Sequence, residues 1–346
     1  RRSSTSQQQR QYNFASHSYA SCFGNSMPTT NVTELRQLAI TYLEHKFEDQ
    51  LWYREPVVTL VQGCKLRNGA LHTTVDAFGR VNGQILFANP SEVKELVHHL
   101  TTYQSPYVDL REKLACIEEE LLTTHVAFLI GNQAMDFVKQ DGVTEIEESI
   151  QANVVERRMN DLLISDEFAG KIKINRNVAI VGCVSNFSNF LDLFRKTIRN
   201  LSLGVPCLVL SRSNTTQHMY RWTELLVQLL QKYDIDPAML TFASCNLDDI
   251  KTIIASIPDS PMYITCSRSL AKSIKTNHPN TISSTGGPNT LVATNLTPQV
   301  SEAIRVSATI ENSGQCTALR LAVIPNATED DVVRILEDTV ATSSAL

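Results

Sequence analysis

The chain has 346 residues, of which 42 % are hydrophobic and 19 % charged, with a formal net charge of -5. That length accommodates two domains with real cores. The charge lacks the basic excess that tracks a phosphate backbone, so nucleic acid is not an expected direct partner, and no apolar run is long enough to span a membrane as a helix.

Residues 1–30 begin RRSSTSQQQRQ, without Met, and stay rich in Arg, Ser and Gln. This predicts a disordered or extended leader, and an acid-poor, basic start of this kind fits a mitochondrial location. A helix is predicted over residues 32–50. VVTLVQG and GRVNGQILFA cluster apolar residues around glycines and predict strands and turns. SEVKELVHHL and the longer DLREKLACIEEELLTTHVAFLIGNQAMDFV carry helical periodicity, which resumes over residues 146–163.

From Asn177 the pattern changes to strand–helix alternation. VAIVGCV, CLVLS, MLTFAS and MYITC are short apolar strands. Helices are predicted between them over residues 190–203, 216–233 and 248–257, and SRSLAKSIKT follows the fourth strand. Such alternation predicts a parallel sheet with helices on both faces and a ligand crevice at the carboxyl ends of the strands, where Asn186, Ser211 and Ser267 fall. A second domain is predicted from Thr285: LVAT as a strand, 299–309 as a helix, ALRLAVIP as a strand and EDDVVRILEDTV as a helix. The domains are thus read as 1–30, 31–284 and 285–346.

The eight cysteines include no C-x-x-C pair, so neither a zinc site nor a disulfide framework is expected. Most are read as small buried hydrophobes. Cys316, in ENSGQCTALRLAVIP, stands apart.

The order of these segments resembles the aldehyde dehydrogenase superfamily, nearest to its pyrroline-5-carboxylate (glutamate-semialdehyde) dehydrogenase branch. The resemblance is carried by GRVNGQILFANPSEVKELV, DGVTEIEESIQANVVERRMNDL and, most tellingly, ENSGQCTALRLAVIP, where the branch shows Gly-Gln-x-Cys-[ST]-Ala-x-Arg. It implies a Rossmann-type α/β fold plus a catalytic-type domain, here truncated. It also implies a chemistry in which a cysteine thiolate adds to an aldehyde, an amide stabilises the oxyanion, a nicotinamide takes hydride and a glutamate activates water.

Carried over by position, the resemblance makes Asn186 the oxyanion amide, which the residues alone also allow as a helix cap. Ser211 falls on the lysine that holds the adenosine ribose, with Arg212 beside it; a hydroxyl lacks the reach and charge of an ammonium. Ser267 falls on the pyrophosphate-binding serine, again with an N-cap as the alternative, and Cys266 replaces a glycine there. Gly286 and Gly287 are kept, but the general-base glutamate falls on Ser284. Cys316 either keeps the nucleophile position in a loop one residue shorter or is displaced along the chain by about 3 Å.

The sequence ends about 30 residues after Cys316, where a family enzyme runs well beyond a hundred more. These departures together give the expectation of an inactive aldehyde-dehydrogenase-like protein with no bound cofactor, acting as a structural subunit whose partner chains cover the incomplete catalytic-like domain. The alternative is an active dehydrogenase that uses Cys316 as nucleophile with NAD or NADP. A third reading has Cys316 pass an acyl group to a thiol acceptor.

Overall fold

The computed structural model describes residues 55–75, 79–106, 109–125, 128–129, 132, 175–182, 193–210, 216–309 and 318–337. The helices read over 32–50 and 146–163 lie outside them. The chain divides into two compact units, Arg1–Tyr263 and Ile264–Leu346.

In the first unit, β1 (Thr59–Val61) and β2 (Cys64–Leu66) form an antiparallel hairpin whose two-residue loop is Gln62–Gly63. Both loop residues have positive φ, 53° and 75°, as a tight hairpin matched to strand twist requires. β3 (Ala70–Val75) and β4 (Val81–Phe87) make a second hairpin. Helix α1 (Pro90–Thr102) starts where its sequence says it should. Asn89 accepts from the backbone of Ser91 and Glu92, Glu92 reaches back to the Asn89 N–H, and Pro90 occupies the first turn. Helix α2 (Arg111–Thr123) follows.

The alternating region gives β5 (Ala179–Gly182), β6 (Cys207–Leu210) and β7 (Leu240–Ala243), with every residue buried. Burial on both faces is why these strands read as continuous apolar runs rather than as alternation. β5 pairs with β6 and β6 with β7, all parallel, while β1 joins β7 antiparallel through Leu60 and Phe242. The unit therefore holds five strands in the order β2-β1-β7-β6-β5, and the sheet is mixed where the alternation alone predicted parallel. The antiparallel edge comes from a hairpin that precedes the alternation in the chain.

Between β5 and β6 the described helical run is a π-helical turn, Phe194–Ile198, continued by α3 (Arg199–Ser202). Helix α4 (Thr216–Lys232) lies between β6 and β7 and is the most deeply buried helix described, with Met219, Tyr220, Trp222, Leu226 and Leu230 in the core. The Tyr220 ring meets Phe242 of β7 edge-on at 5.4 Å. One buried polar chain links the hairpin to this helix: Gln217 Nε2 donates to Thr74 Oγ1 and to Gln84 O, and Thr74 Oγ1 donates to Asn82 Oδ1. Arg199 forms an ion pair with the fully buried Glu118 of α2. Helix α5 (Leu247–Ser256), capped by Asn246, leads to β8 (Met262–Thr265), inside which the boundary between the units falls.

In the second unit, α6 (Arg268–Asn277) is followed by β9 (Thr281–Ser284), which runs beside the end of β8: the Cys266 N–H donates to Ser284 O at 3.1 Å. β8 and β9 bring the main mixed sheet to seven strands. β10 (Thr290–Val292) and β11 (Leu321–Val323) pair in parallel, with α7 (Pro298–Thr309) between them and α8 (Glu329–Glu337) after. On this small sheet Val292, Leu321 and Val323 are exposed.

Candidate functional site

In the first unit the chain builds outward from β5 through β6 to β7, then returns to the other side of β5. The Ile180 N–H donates to Pro261 O, immediately before β8. The strand order therefore reverses at β5, and in open α/β sheets the crevice outside the carboxyl ends at such a reversal is where ligands bind. β5 ends at Gly182 and its parallel neighbour β6 at Leu210. The next residues along the chain lead to Asn186 from one strand and are Ser211 and Arg212 from the other. Parallel pairing sets the carboxyl ends of the two strands, Gly182 and Leu210, at the same edge of the sheet. Asn186, Ser211 and Arg212 themselves lie outside the described residues, as does Cys316.

A cation at this edge escaped the sequence reading. Lys196, in the π-helical turn, donates from Nζ to the Gly182 carbonyl at 3.1 Å, placing an ammonium at the carboxyl end of the central strand. Its only signal in the sequence is a lysine on the helix that returns from the β5 loop.

The second unit brings Ser267, Gly286 and Gly287 near one another, because the Cys266–Ser284 hydrogen bond ties together the ends of β8 and β9. Ser267 is the N-cap of α6: its Oγ accepts from the Leu270 N–H at 3.3 Å and lies 3.1 Å from Ser269 Oγ. Capping is therefore realised, and the side chain is still exposed. Cys266 is buried, 6 % exposed. Its side chain is taken into the interior rather than out towards solvent. A Cβ added at Gly287 would meet nothing within 4 Å, so the chain leaves open space there. Neither Gly286 nor Gly287 has positive φ; the turn itself does not demand glycine. Ser284, at the position of the base, is exposed and carries only a hydroxyl.

Just beyond the glycines, Asn289 anchors the chain that follows Cys316. Its Nδ2 donates to the carbonyl of the fully buried Ala318 at 2.9 Å, and its own carbonyl accepts from Arg320 and Leu321 at 2.9 and 3.1 Å. Asn289 also escaped the sequence reading, since nothing local marks a contact made 29 residues away.

Of the cysteines, Cys64, Cys116, Cys207, Cys245 and Cys266 are described, and all are free thiols. Burial pushes the Cys245 thiol up to about 12 and drives Cys207 higher still. Neither is a thiolate at neutral pH, which removes both as nucleophiles. Among the described residues no group of His, Cys, Asp and Glu is placed to hold a metal ion, and no helix is long and apolar enough to cross a membrane.

No family model matches the sequence, and no curated protein matches it. Solved structures do match the fold. Pyrroline-5-carboxylate dehydrogenase from Thermus with bound NAD superposes with a TM-score of 0.69 at 14 % identity, covering 91 % of this chain and 67 % of that one. The corresponding Mycobacterium tuberculosis enzyme gives 0.63 at 14 %, covering 94 % of this chain and 62 % of that one. Proline utilization A from Bdellovibrio bacteriovorus gives 0.66 at 14 %, covering 89 % and 34 %. The chain thus has the fold of these aldehyde-dehydrogenase-type structures and spans about two thirds of the Thermus enzyme's length.

These comparisons correct the expectation of an inactive structural subunit that binds no cofactor. Pyrroline-5-carboxylate dehydrogenases recur among the matching structures, one of them with NAD bound, and none of these is described as a scaffolding protein. The inference had rested, among other departures, on replaced residues at positions 211, 266 and 284. Cys266 turns out to be accommodated in the interior, and a cation stands at the sheet edge on Lys196.

Proposed function

We propose that the chain is an NAD(P)-dependent aldehyde dehydrogenase of the glutamate-semialdehyde type, with Cys316 as nucleophile. The observation that carries this reading is the likeness over 91 % of the chain to a dehydrogenase structure with NAD bound. The described residues are compatible with a dinucleotide. The start of α6 offers outward first-turn N–H groups and the exposed Ser267 hydroxyl, a setting that favours phosphate. The open space at Gly287 admits close approach of a ligand to backbone.

In this reading the Cys316 thiolate adds to the aldehyde carbon, and the Asn186 amide donates to the oxygen as it gains charge. The nicotinamide, when bound, supplies the hydride acceptor. Lys196 holds a positive charge at the carboxyl end of β5, and Asn289 fixes the chain that resumes after Cys316. The acyl group is left as a thioester on Cys316. Its hydrolysis requires a base other than Ser284, whose hydroxyl has no carboxylate function. That one substitution favours a second reading of the final step, in which a thiol acceptor takes the acyl group by thioester exchange.

The test is calorimetric titration of the full chain with NAD⁺ and NADP⁺, followed by turnover of glutamate semialdehyde with and without an added thiol. The expected result is dinucleotide binding, reduced nicotinamide formed at a rate abolished in Cys316→Ala, and a product (acid or thioester) that identifies the acceptor. Binding of neither dinucleotide, or undiminished turnover in Cys316→Ala, overturns the proposal.

A further inference from the structure

One face of α6 carries Arg268, Lys272 and Lys275, four and three residues apart. On a helix these fall within about 60° of arc and along about 10 Å of axis. Together with Ala271, Thr276, and Ser283 and Thr285 of the β9 region, they line an open groove of about 440 Å³ within the second unit. That volume is in the range of small-molecule sites, about 300 to 1,000 Å³.

The charges are uncompensated. Between Asp259 and Glu302 the sequence contains no Asp or Glu, and none of the three cations forms an ion pair among the described residues. Two acids elsewhere in the unit are engaged with cations of their own helices, Glu302 with Arg305 and Asp331 with Arg334. Like charges at i,i+4 and i,i+3 oppose helix formation by about 0.2 to 0.5 kcal/mol per pair. A helix that repeats the arrangement without one acidic partner violates local design, and such violations mark functional positions.

We infer that this groove binds a small molecule bearing two or more phosphate groups. Three cations along about 10 Å of axis match more than one anionic group, and Ser283 and Thr285 bring hydroxyls from the opposite wall. No aromatic side chain lines the groove, so it offers no stacking platform for a nucleobase, which argues against single-stranded nucleic acid as the occupant. The groove begins at Arg268, one residue beyond the Ser267 cap, and extends along the helix away from it; the inference does not rest on the proposed oxidation chemistry.

Inorganic tripolyphosphate is the probe, titrated calorimetrically into the full chain at low ionic strength. The expected result is one site that weakens as salt is raised, and at least tenfold weaker binding in Lys272→Gln/Lys275→Gln, with Lys272→Arg/Lys275→Arg close to wild type. Thermal melts establish that the variants are folded; should the double variant not fold, Lys275→Gln alone gives the reading. Absence of binding, or equal binding by the folded Gln variant, overturns the inference. Displacement of the probe by NAD⁺ also overturns it, by assigning the phosphate to the dinucleotide crevice. Tighter binding of a single-stranded oligonucleotide through the same lysines overturns it in favour of a nucleic-acid surface.

Discussion

Replacing Asn289 tests whether the chain following Cys316 is held by one side-chain hydrogen bond. Three of the four hydrogen bonds described at this residue are made by its backbone: its N–H donates to Gly287 O, and its carbonyl accepts from Arg320 and Leu321. A substitution leaves these intact and removes the 2.9 Å bond from Nδ2 to Ala318 O. Ala318 is fully buried, so water does not take over the abandoned carbonyl. The expected loss for Asn289→Ala is therefore that of an unsatisfied buried acceptor, about 1 to 3 kcal/mol, rather than the net value of an exchanged bond. Asn289→Asp has nearly the same shape but sets a carboxylate oxygen against the carbonyl, and the order of stability is wild type, then Ala, then Asp. For a unit of roughly 80 residues each kcal/mol lowers the melting temperature by about 4 to 8 °C. The assay is differential scanning calorimetry paired with hydrogen exchange at Leu319–Leu321. Both variants within 0.5 kcal/mol of wild type, or Asp more stable than Ala, would refute the reasoning.

Two further predictions concern the first unit and the glycine turn. A Cβ at Gly69 would stand 1.9 Å from Phe87 O, a backbone atom of the neighbouring strand, whereas one at Gly287 meets nothing within 4 Å; Gly69→Ala is expected to lose about 1 to 3 kcal/mol or more and Gly287→Ala less than about 0.5, compared by urea denaturation. Burial lowers the His99 pKa below 6.5 and outweighs the hydrogen bond from Nε2–H to Ala238 O and the nearby Asp236 charge, both of which raise it, while Gln62 Nε2 donates to Nδ1. The unfolded chain takes up this proton first, so the contribution of His99 is complete above about pH 6.5 and is lost as pH falls through the lower folded value. His99→Gln should flatten that part of the stability–pH curve, and an unchanged curve would show that His99 does not titrate as argued.

Three of the four strands of the alternating region, β5, β6 and β7, could be read from the sequence because burial on both faces leaves them almost wholly apolar. Helix α1 was equally legible, through Asn89, Pro90 and Glu92. β3 was not: most of its residues are exposed, so no apolar pattern marks it. Nor was the π-helical turn at Phe194–Ile198, since helical periodicity averages over a turn one residue wider than its neighbours.

For the site, Ser267 was located correctly at a helix start. Lys196 and Asn289 were not seen, because each acts on a backbone carbonyl that only the fold brings near. The functional reading failed for a related reason. Counting replaced residues at Ser211 and Ser284 treats each role as fixed to one position, while the fold sets a cation at the carboxyl edge from another element.

The β1–β2 hairpin has a consequence for association. A parallel sheet that ended at β7 would present a fully buried-type apolar strand as its edge, with unpaired amides and carbonyls open to any other extended chain. Instead β1 covers β7 and turns back, so among the described residues the outermost strand on that side is β2, three residues long. Lys65 at its centre is paired with Glu224. A foreign strand docking there meets a ladder too short to hold it and a charge it would have to desolvate. This side of the sheet is terminated against intermolecular growth, by a segment that contributes nothing to the carboxyl-end crevice.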